Sequence, residues 1–541
     1  MQRTGFSKIM GTVKFEYVLP VTLFLLAFAL RYHFLSKYHY PMMIHEQDAV
    51  GYMDTAKSFL SLNIPSVAGR PPGYPIVIAL FAVLPVGLEY AARLASIFMD
   101  AMIVLPLYYI ARIYLSRVGA LAACLLWAFF SFSLFFSTSP LSQSSYLCYL
   151  LYGMALLHFG LVKRERRWFF CSGVFMALSF LARPEGIVGF GYGLLFCLTL
   201  LVGTYGFKRK NLALPVFFLI GFLLIAGPYL VTLRLTLGGW TLSALTATQV
   251  KSADAVLTLN AKGGLQQNAA TGLSAWKESY RTLPVFAAAI RENIKGFARV
   301  YVGTFPAWMN VATLLGFLLL AWKSPWRNTL LLLALVAVIA PTLVVNLPKT
   351  HSYIYPLFAL TFICFAFCLD TLLLGGMWVA GKFPALRPRF LEVLLSGILL
   401  VPVAYMALTS YRVADASYQM PGLVHEAVET EAIFKGAGEI IKSSSQPRDI
   451  IMTRWGLVGY FADRPVLGLP KGGVREVVDY GRKNGAKFLL IDTKSVLSRR
   501  EELMELLSPL GGTPVNPEYG IEVFARNYIQ DIGGYVIYRY K

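Results

Sequence analysis

Apolar runs long enough to cross a hydrocarbon core recur along this 541-residue chain, and a helix needs only about 20 such residues to span one. They lie at about 17–35, 88–111, 118–137, 141–162, 168–182, 186–204, 212–235, 300–322, 328–346, 353–374 and 390–410. A barrel strand would alternate polar and apolar side chains, which these runs do not, so helices are the expected spanning elements. Composition agrees. Charged residues make up 14% of the chain and hydrophobic ones 57%, where a soluble chain carries about 25% charged.

Eleven spans would place the two termini on opposite sides of the membrane. Short basic loops set the direction, because Lys and Arg are retained on the inner side. With the N-terminus inside, Arg112 with Arg117, Lys163-Arg164-Glu165-Arg166-Arg167, Lys208-Arg209-Lys210, Lys323 with Arg327, and Lys382, Arg387 and Arg389 all fall inside. Regions 36–87 and 236–299 and the tail then fall outside. The formal charge of +20 follows this pattern: residues 1–410 hold 32 Lys+Arg against 13 Asp+Glu, and the tail is nearly neutral. The bases sit between apolar runs, so topology and anionic lipid account for them without nucleic acid.

Residues 1–410 therefore read as an all-α polytopic membrane domain, and 411–541 as a small extracytoplasmic α/β domain. In the tail, Asp449–Thr453 and Lys487–Asp492 predict short buried strands, and Val474–Lys483 and Arg500–Leu507 predict helices. Gly485 stands where the first of these should stop. Region 36–87 contains an amphipathic stretch at Tyr52–Leu62, the turn Arg70-Pro71-Pro72-Gly73-Tyr74-Pro75 and an apolar piece, Ile76–Leu84, too short to cross. Interfacial helices are expected there. Region 236–299 ends in a more helical part, Trp276–Arg299, which could cover a site.

The six cysteines all fall in apolar segments, so neither a disulfide framework nor a cysteine metal site is read. No phosphate loop and no Gly-x-Ser-x-Gly elbow occurs in the sequence, which argues against an ATP-driven pump and a serine hydrolase. The first run follows Arg3, Lys8 and Lys14 and resembles a signal peptide with a cut after Ala27-Phe28-Ala29. An uncleaved helix is the reading the topology requires.

Ionisable residues at membrane depth are expensive and need a reason. Several gather at the outward ends of the runs. They are His45-Glu46-Gln47-Asp48 followed by Tyr52, Arg70 at the Pro-Pro-Gly turn, Arg183-Pro184-Glu185-Gly186, and Lys349-Thr350-His351-Ser352-Tyr353. A carboxylate with several cations at one interface suits an anionic lipid headgroup. Transfer of a sugar from a polyprenyl phosphate needs a base for the acceptor hydroxyl and positive charge for the departing phosphate. The arginine fork binds phosphate oxygens in two places. Plainer roles stand beside these. Asp48 could cap a helix, Asp54 could be a solvated face, Arg70 could snorkel, Arg183 could pair with Glu185, and His351 could be a structural hydrogen-bonder.

Asp48-Ala49-x-x-Tyr52-x-x-x-Ala56 with Arg70-Pro71-Pro72-Gly73-Tyr74-Pro75 resembles the first outer loop of GT-C glycosyltransferases. The similarity is to the branch of dolichyl-phosphate-mannose protein mannosyltransferases and lipid A aminoarabinose transferases. Arg183-Pro184-Glu185-Gly186 and His351-Ser352-Tyr353-x-x-Pro356 resemble later motifs of that superfamily. The resemblance implies an inverting glycosyltransferase with Asp48 as catalytic carboxylate. Arg70 and Arg183 would contact the donor phosphate, with Lys349 or His351 assisting and Glu46, Tyr52, Tyr74, Glu185 and Tyr353 in support. Many relatives carry an acid after a Pro-Leu-Ser-like turn where this chain has Gln143, which puts that acid's role in doubt here.

The expected donor is a polyprenyl-phosphate-linked monosaccharide and the acceptor a glycan, lipid or protein. No nucleotide site is required and no cofactor is assigned; a divalent cation stays open. The expected place is a bacterial inner membrane with the tail in the periplasm. Two rivals share the charge cluster: a flippase for lipid-linked saccharide, and a ligase or polymerase using lipid-diphosphate oligosaccharides. A flippase would show repeated halves and broken helices at the midplane.

Overall fold

The computed structural model describes residues 13–38, 46–62, 70–200, 209–242, 255–259, 265–269, 283–344, 350–380, 388–418, 421–530 and 532–541. The chain divides into two units, one of residues 1–37 and 55–415, the other of 38–54 and 416–541.

The first unit is a helical bundle. Its elements begin with α1 (Val13–Lys37), α2 (Glu46–Leu60, whose first half belongs to the second unit), α3 (Gly73–Phe81), α4 (Leu88–Met102), α5 (Val104–Tyr114), α6 (Arg117–Phe129) and α7 (Ser131–Thr138). They continue with α8 (Gln143–Lys163), α9 (Arg166–Ala182), α10 (Gly186–Leu200), α11 (Arg209–Leu237) and a hairpin, β1 (Ala255–Leu259) with β2 (Leu265–Ala269). Then come α12 (Leu283–Thr304), α13 (Ala307–Lys323), α14 (Trp326–Ala337), α15 (Ala340–Val344), α16 (His351–Ala380) and α17 (Pro388–Tyr418).

The eleven apolar runs all map onto helices, but the count of eleven spans is not reproduced. Among the described residues six helices are long and apolar enough to cross a membrane, or eight if two bent pairs each count as one. The first bent pair is α6 with α7, turned by 52° at Phe130, whose backbone is extended (φ −65°, ψ 127°). The second is α12 with α13, turned by 112°. There Pro306 has no N–H to give and disfavours helix at Phe305. The run read as one span from 300 is therefore broken before Ala307. Asn310 compensates for the break: its side-chain amide donates to the carbonyls of Val302 (3.0 Å) and Phe305 (3.1 Å). The run 186–204 corresponds to a 15-residue helix, and 328–346 is split between α14 and α15.

Small residues set the helix packing, as expected where lipid removes the hydrophobic drive between helices. A Cβ at Gly173 of α9 would overlap the Phe218 carbonyl of α11, and one at Gly221 of α11 would overlap the Phe170 carbonyl of α9. The two backbones touch through reciprocal glycines.

The second unit is the small α/β domain expected for the tail. After α18 (Pro421–Ser443) it runs β3 (Ile450–Met452), α19 (Gly456–Ala462), β4 (Val466–Leu467), α20 (Val474–Lys483), β5 (Ala486–Asp492), α21 (Thr493–Arg499), a 3₁₀ segment (Glu501–Gly511), β6 (Ile521–Ile529) and β7 (Gly533–Tyr540). The sheet order is β4-β3-β5-β7-β6, with β3 parallel to β4 and β5, and β7 antiparallel to β5 and β6. Val474, Val477 and Val478 of α20 join Met452, Leu489, Ile491 and Tyr538 in one core. Gly485 follows α20 with φ +71°, a conformation that favours glycine. The sequence reading found no strands beyond Leu507, and the terminal hairpin was missed.

Candidate active site

The Arg70 turn and the Arg183 turn meet. Pro71 and Pro72 precede α3, which starts at Gly73. A Cβ at Gly73 would stand 2.6 Å from the Ala182 nitrogen and 2.6 Å from the Leu181 carbonyl carbon. Only a glycine lets α3 begin directly on the last backbone turn of α9, one residue before Arg183. Tyr74 then locks α3 in place. It is fully buried, its hydroxyl donates to the Ala92 carbonyl (2.9 Å), and it lies 2.6 Å from the Ser96 hydroxyl. Gly73→Ala is expected to destabilise the protein by about 1–3 kcal/mol, the usual cost of overpacking where backbone cannot yield. Melting in detergent should show the loss, and Gly87→Ala, with open space around it, should melt as wild type.

Arg183 has extended backbone (φ −148°, ψ 136°) where α9 stops, and its side chain is 13% exposed. One guanidinium nitrogen is 3.1 Å from the Glu185 carboxylate, and the group lies 5.6 Å from the centre of the Tyr353 ring. The ion pair anticipated as a structural alternative therefore exists. It does not close the site, because Glu185 Oε2 is buried with no hydrogen-bond partner. The Tyr146 hydroxyl is in the same state and lies within electrostatic reach of both Arg183 and Glu185. Gln143, one turn earlier on α8, is also buried with Oε1 unpartnered. In a low-dielectric setting a guanidinium is worth far more to an anion than in water.

Tyr353 and His351 stand on the first turn of α16 and face different neighbours. Tyr353 meets Arg183 and the Phe297 ring (6.5 Å), whereas His351 stacks on Phe132 of α7 with centroids 3.7 Å apart. Lys349 lies outside the described residues. In the second unit, Glu46 opens α2, and Asp48 is its third residue, so Asp48 stands inside the first turn rather than at the cap. Tyr52 is buried and Asp54 exposed. Among the described residues no three His, Cys, Asp or Glu side chains come close enough to hold a metal ion.

One constellation escaped the sequence reading. Arg31 of α1 and Asp100 of α4 form a fully buried ion pair (2.6 Å). Asp100 also accepts from Ser133 (2.7 Å), Ser144 (2.9 Å) and Tyr355 (2.7 Å), and Arg31 donates to the Ala27 and Ala128 carbonyls. This hub ties α1, α4, α6, α7, α8 and α16 together. Ser144 neighbours Gln143, and Tyr355 follows Tyr353 by two residues, so the hub holds the helix ends that carry the cluster around Arg183. The signal was in the sequence: a carboxylate inside the run 88–111 and an arginine inside 17–35 each need a partner.

Residues 69–236 match the family model of Dolichyl-phosphate-mannose-protein mannosyltransferase. The structure of ArnT from Cupriavidus metallidurans bound to undecaprenyl phosphate superimposes with a TM-score of 0.59 at 13% identity, covering 97% of this chain and 98% of that one. The chain has the fold of that structure. The apo state of the same ArnT gives a TM-score of 0.56 at 14% identity, again covering 97% and 98%. The archaeal oligosaccharyltransferase AglB from Archaeoglobus fulgidus, in complex with an inhibitory peptide and a dolichol-phosphate, gives 0.54 at 12% identity, covering 89% of this chain and 70% of that one. No curated protein matches the chain by sequence. The family match begins one residue before Arg70 and takes in Asp100, Gln143, Arg183 and Glu185. The matched residues thus include the part in which the two arginine turns touch.

Proposed function

We propose that the chain transfers a monosaccharide from a polyprenyl-phosphate donor to an acceptor hydroxyl at the outer face of the membrane. The observation that carries this reading is the contact of the Arg70 and Arg183 turns through Gly73. Two arginines carried by touching turns at the helix ends suit recognition of a phosphate headgroup. Arg70 and Arg183 stabilise the departing lipid phosphate, with Lys349 assisting; His351, turned to Phe132, takes no part. Asp48 takes the proton of the acceptor hydroxyl as its oxygen displaces the phosphate with inversion at the anomeric carbon. The energy for transfer resides in the phosphate–sugar bond, so no nucleotide is needed. The N-terminus is inside and the tail outside, as the basic loops require, and a bacterial inner membrane is the setting.

The test uses the purified chain in vesicles with a radiolabelled polyprenyl-phosphate sugar. Wild type should consume donor, and Arg183→Gln should lower kcat/KM by about 10²–10³, the range for loss of one charge-stabilising donor. Donor that crosses between leaflets without being consumed would mark a transporter and end the proposal. A donor requirement met only by diphosphate-linked oligosaccharides would transfer the assignment to a ligase.

A further inference from the structure

Both broken helices open onto the same hollow. Phe130, at the bend between α6 and α7, stacks on Phe305, at the bend between α12 and α13, with centroids 5.7 Å apart and planes at 19°. The bends leave a cavity of ≈ 500 Å³ lined on its remaining side by Tyr405, Met406 and Val413 of α17. That volume falls in the range of sites that hold a drug-sized ligand, about 300–1,000 Å³.

Three features narrow the occupant. None of the lining residues is Lys, Arg, Asp or Glu, so the cavity offers nothing to a phosphate and would penalise a charged headgroup. Its polar groups are His351, Ser131, Tyr405 and the hydroxyls of Thr304, Thr409 and Ser410, against walls of phenylalanine. The Thr304 and Thr409 hydroxyls donate to the Val300 (2.8 Å) and Tyr405 (2.9 Å) carbonyls and Ser410 accepts from the Ser131 N–H (2.8 Å), whereas His351 makes ring contacts only among the described residues. Tyr405 and Val413 at the rim are 56% and 55% exposed on an apolar helix, so the cavity opens sideways, toward hydrocarbon. The first turn of α16 separates this cavity from the arginine cluster, with Tyr353 turned to Arg183 and His351 to Phe132.

We propose that this cavity holds the hydrocarbon chain of a neutral, hydroxyl-bearing lipid with its hydroxyl at His351.

The experiment uses the full chain in lipid nanodiscs with diazirine-bearing hexadecanol as probe. Crosslinks mapped by mass spectrometry should fall on α7 and α17 near Phe132 and Tyr405 at least about fivefold above those on the exposed leucines of α11, a preference of about 1 kcal/mol. Met406→Trp should fill the cavity and remove the excess. His351→Phe keeps the stack on Phe132, so it should weaken labelling by the alcohol but not by the matching diazirine alkane. Labelling no higher than on α11, or alcohol labelling indifferent to both variants, overturns the site. Loss of labelling on adding undecaprenyl phosphate overturns it too, because the cavity would then belong to the donor chain. Failure of the transferase reading is seen separately, as undecaprenyl phosphate binding that Arg183→Gln does not change.

Discussion

Asp48→Asn will leave the protein assembled and lower transfer by about 10²–10⁴, the usual contribution of a positioned general base. The substitution is nearly isosteric and keeps a polar side chain in the first turn of α2, where Asp48 is the third residue. Its effect on the helix is therefore small: an amide loses only the attraction of a carboxylate for the helix N-terminus, about 0.3–1 kcal/mol. Asp54→Asn is the control. It lies on the same helix and is exposed, and its turnover should match wild type. Single-turnover transfer from the lipid-phosphate donor reads both. A wild-type rate in the Asn variant would remove Asp48 from the mechanism while leaving the phosphate assignment of the arginines standing.

Asp100→Leu should be the most destabilising single change in the membrane domain. It leaves the Arg31 guanidinium charged, fully buried and without its carboxylate, and removal of one partner of such a pair costs about 3–5 kcal/mol. The hydroxyls of Ser133, Ser144 and Tyr355 lose their common acceptor at the same time. Thermal unfolding in detergent should show the loss as a large drop in Tm. Arg31→Met combined with Asp100→Leu should recover most of it, because no charge is then left in the interior. A double variant as unstable as the single one would show that the hub stabilises through its hydroxyl network rather than through charge pairing. Transfer by the rescued double variant tests the hub's second role: if Ser144 and Tyr355 position the ends of α8 and α16, kcat should fall even where stability has returned.

Much of this architecture was legible in the sequence for a simple reason. Hydrocarbon imposes its demands locally: a run of about 20 apolar residues must be helical wherever its neighbours lie. The tail was readable in part by the same local logic, since the valines of α20 repeat at helical spacing and Gly485 stops the helix. Its last hairpin was not. Most of β6 is at least partly exposed, so its Ile521–Ile529 segment carries no clean alternation to read. The span count failed where continuity depends on one residue. Pro306 turns a single apolar run by 112°, and Phe130, without any breaking chemistry of its own, turns another by 52°.

The candidate site divides in the same way. Residue types alone identified the arginines, the acids and the turns that carry them, because a charged side chain at membrane depth is costly enough to demand an explanation wherever it occurs. Which charges meet was decided only by tertiary structure. Glycine at position 73 makes the α3–α9 contact feasible, but the contact exists because α9 and α3 are brought together by helices far apart in sequence. Arg31 and Asp100, 69 residues apart, neutralise each other in the interior, whereas Arg183 keeps a partly exposed face. A sequence states how many charges must be accommodated; only the packing of helices against one another determines which are cancelled and which stay available to a ligand.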